Sequence, residues 1–177
     1  MNWYIVNKKY VSYLNQFDQR VSYMDYGDRI KLHIGIILNV HNFNYYVPIS
    51  SPKPKHRRMS NSKEFHKIQT DEGVLLSVIN LNNMIPVPDT DTEQLFYDHI
   101  SKYRHFDTMR DKNNYVYLLQ REKIIIDSIE PILKSKAEKL YEYCKNKPYS
   151  ALTKRCCDFL LLEEKCLEWA DSKKEAV

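Results

Sequence analysis

The segment that organises the chain is Tyr45-Tyr-Val-Pro-Ile-Ser-Ser-Pro-Lys-Pro-Lys-His-Arg-Arg58. A short apolar strand ends here at two hydroxyl side chains, Ser50 and Ser51, and a cationic stretch follows at once. From Lys53 to Lys67 six lysines and arginines face the single Glu64, whereas the whole chain of 177 residues has a net charge of only +4. The positive charge is therefore a local patch, which is the electrostatic footprint of a protein that holds a phosphate backbone. This pattern predicts a nucleic-acid partner.

The residues before this segment predict an antiparallel hairpin. Residues 29–40 alternate, with Ile30, Leu32, Ile34, Ile36 and Leu38 on an apolar face and Lys31, His33 and Gly35 on the other. Residues 41–44 then form the connection into a strand over residues 45–49, which returns antiparallel and ends at Ser50 and Ser51. We therefore expect Lys31 to lie near the Ser51 end of the pair.

The rest of the chain predicts an α+β fold. Strands are expected over residues 3–6, 65–69 and 74–80, and Leu81–Val87 adds a helical turn and a last strand. Residues 18–28 and 52–64 are predicted loops. Helices are expected after Asn7, over residues 92–104, over 113–145 with Pro131 as a start or kink, and over 150–173. The prediction is a strongly curved antiparallel sheet of five or six strands, a partly open barrel, covered by N-terminal and C-terminal helices. It forms a single domain of residues 1–177, β-rich over 1–88 and helical over 89–177.

The composition excludes several classes of protein. Hydrophobic residues make up 43% and charged residues 28% of the chain, as in an ordinary globular domain. Three glycines leave no glycine-rich loop to cradle a nucleotide. The four cysteines form no CxxC pair, which predicts buried thiols in a reducing compartment. Since no apolar run approaches the roughly 18 residues that a membrane span needs, we expect a cytoplasmic protein without a membrane segment.

The chemistry that these residues permit includes cleavage of RNA without a metal. The substrate's 2′-OH is then the nucleophile, and the protein manages only protons and the charge on the phosphate. Ser51, Lys53 and Lys31 fit those roles, and the phenol of Tyr10 can reach a phosphate at the rim of the core. Each also has a structural interpretation: a turn serine, two solvated lysines and a core tyrosine. Metal-dependent hydrolysis needs clustered carboxylates, which are sparse in the β-rich half, so no metal or cofactor is expected.

The patch supplies the candidates for binding RNA, together with tyrosine rings on which unpaired bases stack. The histidines of the patch could serve as a general acid or base, or each could be an exposed imidazole that only adds to the positive patch. The RNA-binding candidates are Ser50, Lys55, His56, Arg57, Arg58, Lys63, His66 and Lys67.

Two motifs resemble the ToxN/AbiQ family of endoribonuclease toxins. They are Tyr46-Val-Pro-Ile-Ser-Ser-Pro-Lys53 and Ile79-Asn-Leu-Asn-Asn-Met-Ile-Pro-Val87, preceded in order by Tyr10, Lys31 and Gly35. Ser50 stands where the family commonly has threonine, which keeps the hydroxyl. The tyrosine that the family often has before the second strand is matched by Tyr23 or Tyr26 without a clear choice.

The resemblance implies the toxin of a type III toxin–antitoxin system that aborts phage infection. It implies a metal-independent RNase that cleaves single-stranded mRNA with sequence preference, leaves 2′,3′-cyclic phosphate and is built on a sheet similar to that of the MazF/Kid toxins. The expected inhibitor is a repeat-derived pseudoknot antitoxin RNA, which assembles with the toxin into closed rings. By motif position Ser51 is the catalytic hydroxyl, Lys53 and Lys31 are the phosphate-side cations, and Tyr10 is an active-site phenol.

Two alternatives remain open on the sequence. A non-catalytic RNA-binding module has the same patch and tyrosines, but its toxicity does not depend on Ser51. A MazF-like RNase toxin is neutralised by a protein antitoxin instead of RNA.

Overall fold

The computed structural model describes residues 1–22 and 31–175 as an antiparallel sheet packed against helices. The strands are β1 (Asn2–Val6), β2 (Leu32–Val40), β3 (Phe43–Ser50), β4 (Phe65–Gln69), β5 (Leu75–Asn80), β6 (Ile85–Pro86) and β7 (Thr92–Gln94). Their order is β4-β5-β3-β2-β1-β7, and β6 pairs with β3 beside β5. The predicted α+β fold with a curved antiparallel sheet is confirmed, although the sheet has seven strands where five or six were expected.

The N-terminal strand and helix form as the sequence predicts. The side chain of Asn7 accepts a hydrogen bond of 2.9 Å from the backbone N–H of Lys9 and so caps α1 (Lys8–Phe17). Tyr10, Val11 and Leu14 recur at helical spacing and are buried. β1 then lies between β2 and β7 in the sheet.

The β2–β3 hairpin forms the centre of the sheet, but the simple alternation predicted for β2 is wrong. His41 and Asn42 have φ values of 48° and 68°, as a tight two-residue hairpin turn requires. The register shifts between Ile34 and Leu38, and this irregularity displaces the pattern of buried positions. Ile37 is consequently fully buried, while Leu38 is only partly buried. His33 and Gly35, expected on a polar face, are buried as well.

A short helix, α2 (Pro54–Arg58), interrupts the segment predicted to be a loop over residues 52–64. Pro54 lies in its first turn, where a fixed φ favours helix and no N–H is needed. The ring of His56 turns inward against Phe65, with ring centroids 5.5 Å apart, and its Nδ1 accepts from the backbone N–H of Lys53 at 3.1 Å. These contacts of His56 fix the backbone of the helix from which the exposed cationic side chains project.

The C-terminal part carries three long helices: α3 (Met109–Ser128), α4 (Glu130–Asn146) and α5 (Phe159–Glu175). The predicted helix over 113–145 divides at Ile129, just before Pro131 in the first turn of α4. The predicted helix over 92–104 is wrong, because residues 92–94 pair with β1 as β7 and Tyr97–Lys102 form a 3-10 helix. The β-rich part thus extends past residue 88. Within the described residues, no helix has both the length and the apolar character of a membrane span.

Buried Asp91 explains why the chain after residue 88 stays at the sheet. Its carboxylate accepts hydrogen bonds from Asn7 Nδ2 at 2.8 Å, Trp169 Nε1 at 3.0 Å and Lys173 Nζ at 2.6 Å. These contacts join the start of α1 and the end of α5 to the residues just before β7, so that β7 is held against the free edge of β1.

Glu163 of α5 forms a second buried polar link, between the helices and the sheet. Its Oε1 accepts from the hydroxyl of Tyr45 at 2.8 Å and from that of Tyr141 at 2.9 Å. Tyr45 lies on β3 and Tyr141 on α4, so one carboxylate oxygen joins three elements. Burial and the adjacent carboxylate raise the pKa of the Tyr45 hydroxyl.

Replacing Glu163 tests how much this link contributes. Glu163→Ala leaves the Tyr141 hydroxyl without its acceptor and the Tyr45 hydroxyl with only the longer contact of 3.3 Å to the Phe159 carbonyl. This is expected to lower the free energy of unfolding by about 2–4 kcal/mol. The melting temperature should fall by about 5–10 °C for a domain of this size. Glu163→Gln keeps an acceptor oxygen and should lose less. The control is Glu164→Ala, whose exposed carboxylate contacts Lys165 at the surface; equal melting temperatures for the two alanine variants would contradict the role of Glu163.

Candidate functional site

The end of the β2–β3 hairpin brings together the residues that the sequence singles out. His33 pairs with Pro48, so the register places Lys31 opposite Ser50. Lys31 Nζ donates a hydrogen bond of 2.9 Å to Ser50 Oγ, and Asn80 Nδ2 lies 3.5 Å from the same oxygen. The expectation that Lys31 lies near the serine pair is therefore confirmed.

These side chains line a pocket of about 480 Å³. Lys31, Ser50, Ser51 and Lys53 line it where β3 passes into α2. Most of the remaining wall comes from β5 and from α3. The lining residues outside the predicted set are Ser22, Leu32, Ile49, Leu76, Ser77, Asn80, Arg104, Tyr115, Leu118, Leu119 and Glu122. The volume lies within the range of about 300–1,000 Å³ that is typical of small-ligand sites.

The electrostatic environment changes the acidity of Lys31. Burial, and secondly the nearby charge of Lys53, lower the pKa of Lys31 from its usual value of 10.5 to about 8. Burial also lowers the pKa of His33, with a further contribution from Lys31, to about 3. At neutral pH the buried imidazole of His33, two residues along the chain from Lys31, is therefore neutral, and Lys31 can lose its proton near pH 8.

A cationic groove of about 820 Å³ continues from this pocket across α2 and β4. Lys53, Arg57, Arg58 and Lys67 line it, and Lys53 lines the pocket as well. Lys55 is exposed on α2 outside the residues that line the groove. An RNA strand whose phosphates are bound along the groove would thus reach the serine pair.

Three of the proposed RNA-binding residues have other contacts. His56 is buried, so it is not the exposed imidazole that one interpretation of the patch expects. Lys63 Nζ lies 4.9 Å from the ring centroid of Tyr143 on α4. His66 Nδ1 lies 3.1 Å from Lys136 Nζ, and burial together with that cation lowers the pKa of His66 to about 4. His66 is therefore neutral at physiological pH.

Tyr10 does not lie with the other candidates. Its side chain is fully buried, its hydroxyl donates to the backbone carbonyl of Pro86 at 2.6 Å, and its ring packs 5.6 Å from that of Trp169. Pro86 pairs with Tyr45, at the opposite end of β3 from Ser50. The structure thus supports the core interpretation of Tyr10 and not an active-site phenol.

Several pocket residues were not expected from the sequence. The Arg104 Cζ atom lies 4.1 Å from the ring centroid of Tyr115, and Glu122 and Ser77 are buried residues of the pocket wall. No motif marks Arg104, Tyr115 and Glu122, because they come from a region that resembles the family only in architecture. Asn80 belongs to the second motif, and this motif is the sequence feature that could have identified it as a site residue. Tyr23 and Tyr26 lie outside the described residues.

The structure describes no candidate metal centre. Within residues 1–22 and 31–175, no three His, Cys, Asp or Glu side chains are arranged to hold an ion. All four cysteines are buried free thiols, as predicted.

Comparison with known proteins identifies the group to which this architecture belongs. Endoribonuclease AbiQ of Lactococcus lactis subsp. lactis is 28% identical over 176 residues, covering 93% of this chain and 87% of AbiQ. Endoribonuclease ToxN of Bacillus thuringiensis subsp. kurstaki is 26% identical over 174 residues, covering 96% of this chain and 84% of that protein. A solved structure of AbiQ, described as a lactococcal anti-phage endoribonuclease, superposes with a TM-score of 0.80 at 24% identity, covering 96% of this chain and 98% of that one.

Fold and pocket define an α+β protein with a serine–lysine site at the end of a curved antiparallel sheet. The family profile described as toxin ToxN of type III toxin–antitoxin systems matches residues 2–167. The chain belongs to this family.

Proposed function

We propose that this protein is an endoribonuclease toxin that cleaves single-stranded RNA at the Lys31–Ser51–Lys53 site. The observation that carries the proposal is the position of a partly buried lysine, of pKa about 8, against the serine pair where a cationic groove enters a pocket. The groove supplies phosphate contacts, and the pocket supplies groups that transfer protons and stabilise charge. Residues 1–177 act as one catalytic domain.

The reaction follows from these groups without a nucleophile from the protein. Neutral Lys31 accepts the proton of the ribose 2′-OH, which attacks the adjacent phosphorus and displaces the 5′-oxygen of the next nucleotide. The departing 5′-oxygen takes a proton from water. Lys53 and the hydroxyl of Ser51 contact the phosphate oxygens, where negative charge develops in the transition state. Ser50 accepts the hydrogen bond of Lys31 and holds its amine in place. The products are a 2′,3′-cyclic phosphate and a 5′-OH.

The biological role proposed for this reaction is that of a type III toxin acting in the cytoplasm against phage infection. Support comes from family membership and from a solved relative of 26% identity and TM-score 0.78, reported in work on a processed non-coding RNA that regulates a bacterial antiviral system. Another structural neighbour is described as a toxin inhibited by a non-coding RNA pseudoknot. By analogy the inhibitor here is a repeat-derived pseudoknot RNA, which we place along the same cationic groove and which closes rings with the protein.

Purified protein should cleave single-stranded RNA in excess EDTA. The products should carry 2′,3′-cyclic phosphate and 5′-OH ends, because the 2′-OH attacks its own phosphate, and the matching DNA should stay intact. Gel analysis with end-specific enzymatic labelling measures both properties. Cleavage that stops on chelation and leaves 3′-OH ends would contradict the proposal, and the absence of cleavage with retained RNA binding would favour a non-catalytic RNA-binding module.

The groove makes a separate prediction about affinity. Replacing Arg57 and Arg58 together by glutamine should weaken RNA binding and reduce the slope of log K against log [salt] by about 1.4, since each lost contact with single-stranded phosphate contributes about 0.7. The control replaces Lys139 and Lys145, which are exposed on α4. If the two double variants have the same slope, the RNA does not follow this groove.

A further inference from the structure

The wall of the pocket contains a carboxyl group that the proposed reaction does not use. Glu122 of α3 is only 3% exposed, yet its side chain lines the pocket. Among the described residues no lysine or arginine forms an ion pair with it. A buried carboxyl without a cation is unfavourable, and burial accordingly raises the pKa of Glu122 to about 7.

A second buried polar group lies beside it. Ser77 of β5 is 1% exposed, and its hydroxyl makes no well-formed hydrogen bond within the described part of the chain. It lies near enough to the Glu122 carboxyl to offset part of the rise in pKa. Buried polar groups are nearly always satisfied in folded proteins, so two such neighbours that line a pocket point to a ligand that completes their hydrogen bonds.

The lining of the pocket therefore combines two chemically different groups of side chains. The cationic group consists of Lys31, the serine pair and Lys53, and the carboxyl group consists of Glu122 and Ser77. The pKa of Lys31 responds to Lys53, and that of Glu122 responds to Ser77, so the cation and the carboxyl are not direct partners. The other walls are mainly apolar or aromatic. They are formed by Leu32, Ile49, Leu76, Tyr115, Leu118 and Leu119.

A nucleotide carries chemistry that matches these groups. Its phosphate is an anion for the cationic group, its base is a flat body for the apolar and aromatic walls, and the edge of the base carries hydrogen-bonding groups for Glu122 and Ser77. An ionised carboxylate only accepts hydrogen bonds, and its protonated form donates one and accepts others. Adenine, guanine and cytosine each present an exocyclic amino group to such an acceptor, while uracil presents two carbonyl oxygens around one N–H.

We propose, on the basis of the endoribonuclease function above, that this pocket holds the base next to the scissile phosphate and that Glu122 selects bases with an exocyclic amino group over uracil. Glu122 is thus a specificity-determining residue. Within the described residues no ion pair joins Glu122 to Lys31, so we do not expect it to take part in the proton transfers of cleavage. Ser77 contributes a second hydrogen-bonding group to the same edge of the base.

Binding of ribonucleoside 3′- and 5′-monophosphates, measured by calorimetry with all four bases, tests this assignment. In at least one of the two series the adenine, guanine and cytosine nucleotides should bind wild-type protein about tenfold more tightly than the uracil nucleotide. Glu122→Gln keeps the shape and offers an N–H to a uracil carbonyl, so the preference should fall to about threefold or less. Glu138→Gln, at an exposed position on α4, removes the same charge and should change nothing.

Cleavage of an RNA pool randomised around the cut site supplies the second measurement. Wild-type protein should disfavour uracil at one position next to the cut, and Glu122→Gln should remove that preference at that position alone. Equal binding of the four bases in both series, or an unchanged profile in the variant, would overturn the assignment. A uniform loss of cleavage with the preference intact would overturn it too, because Glu122 would then act on the reaction. Discriminating binding without RNA cleavage would contradict the proposed function while supporting base selection by Glu122.

Discussion

Ser51→Ala is expected to abolish toxicity and to lower the rate of RNA cleavage by about 10²–10³-fold. The hydroxyl lies on an exposed residue at the end of β3, where it can donate to a phosphate oxygen in the transition state. Its removal leaves the Lys31–Ser50 hydrogen bond in place. Single-turnover cleavage and growth of expressing cells measure the two effects.

Folding and RNA binding should survive this change. The melting temperature and the affinity for antitoxin RNA should match those of wild type, because the groove residues are untouched. Ser62→Ala, at an exposed serine beyond α2, is the matched control and should keep full activity. A Ser51→Ala protein that unfolds would show that Ser51 is only a turn residue, and one that cleaves at the wild-type rate would remove it from the site.

Lys31→Ala is expected to have the second large effect, a loss of about 10²–10⁴-fold in kcat/KM, the usual contribution of a general base. The lowered pKa also sets the pH dependence of the wild type. The neutral amine is the active form, so kcat/KM should rise about tenfold per pH unit below pH 8 and level off above it.

Lys31→Arg separates the role of a base from that of a cation. Guanidinium keeps its positive charge at any pH used here, so it stabilises a phosphate but does not accept a proton. The variant should remain inactive, without the rise towards pH 8. An arginine variant with near wild-type activity, or a wild-type rate that falls above pH 8, would show that Lys31 acts as a protonated cation.

The sequence predicts the site best where local geometry determines it. The β2–β3 hairpin follows from its two apolar strand segments and the turn between them, which place Lys31 near the end of β3. The pairing of Lys31 with Ser50 depends also on the register shift between Ile34 and Leu38. The position of Lys53 can be predicted because Pro52 and Pro54 restrict the backbone φ angles directly after the strand. These are short-range constraints, which a single sequence contains.

The predictions are wrong or incomplete where contacts between residues far apart in the sequence determine the structure. Residues 92–94 have no strand pattern of their own and become β7 because β1 has a free edge and Asp91 is fixed by Asn7, Trp169 and Lys173. Glu122 enters the pocket because α3 packs over β5, which no local motif signals. Tyr10 was ambiguous because the same helical position is compatible with the core and with its rim, and packing against Trp169 places it in the core.

The most direct test of the account is cleavage of a DNA oligonucleotide that contains one ribonucleotide within a sequence that the protein cuts as RNA. In excess EDTA, wild-type protein should cut only on the 3′ side of that ribonucleotide and leave a 2′,3′-cyclic phosphate, while Ser51→Ala protein should leave the strand intact over the same time. Cleavage at a deoxynucleotide, or equal cleavage by the two proteins, would contradict the proposal that the serine–lysine site directs the substrate's own 2′-OH.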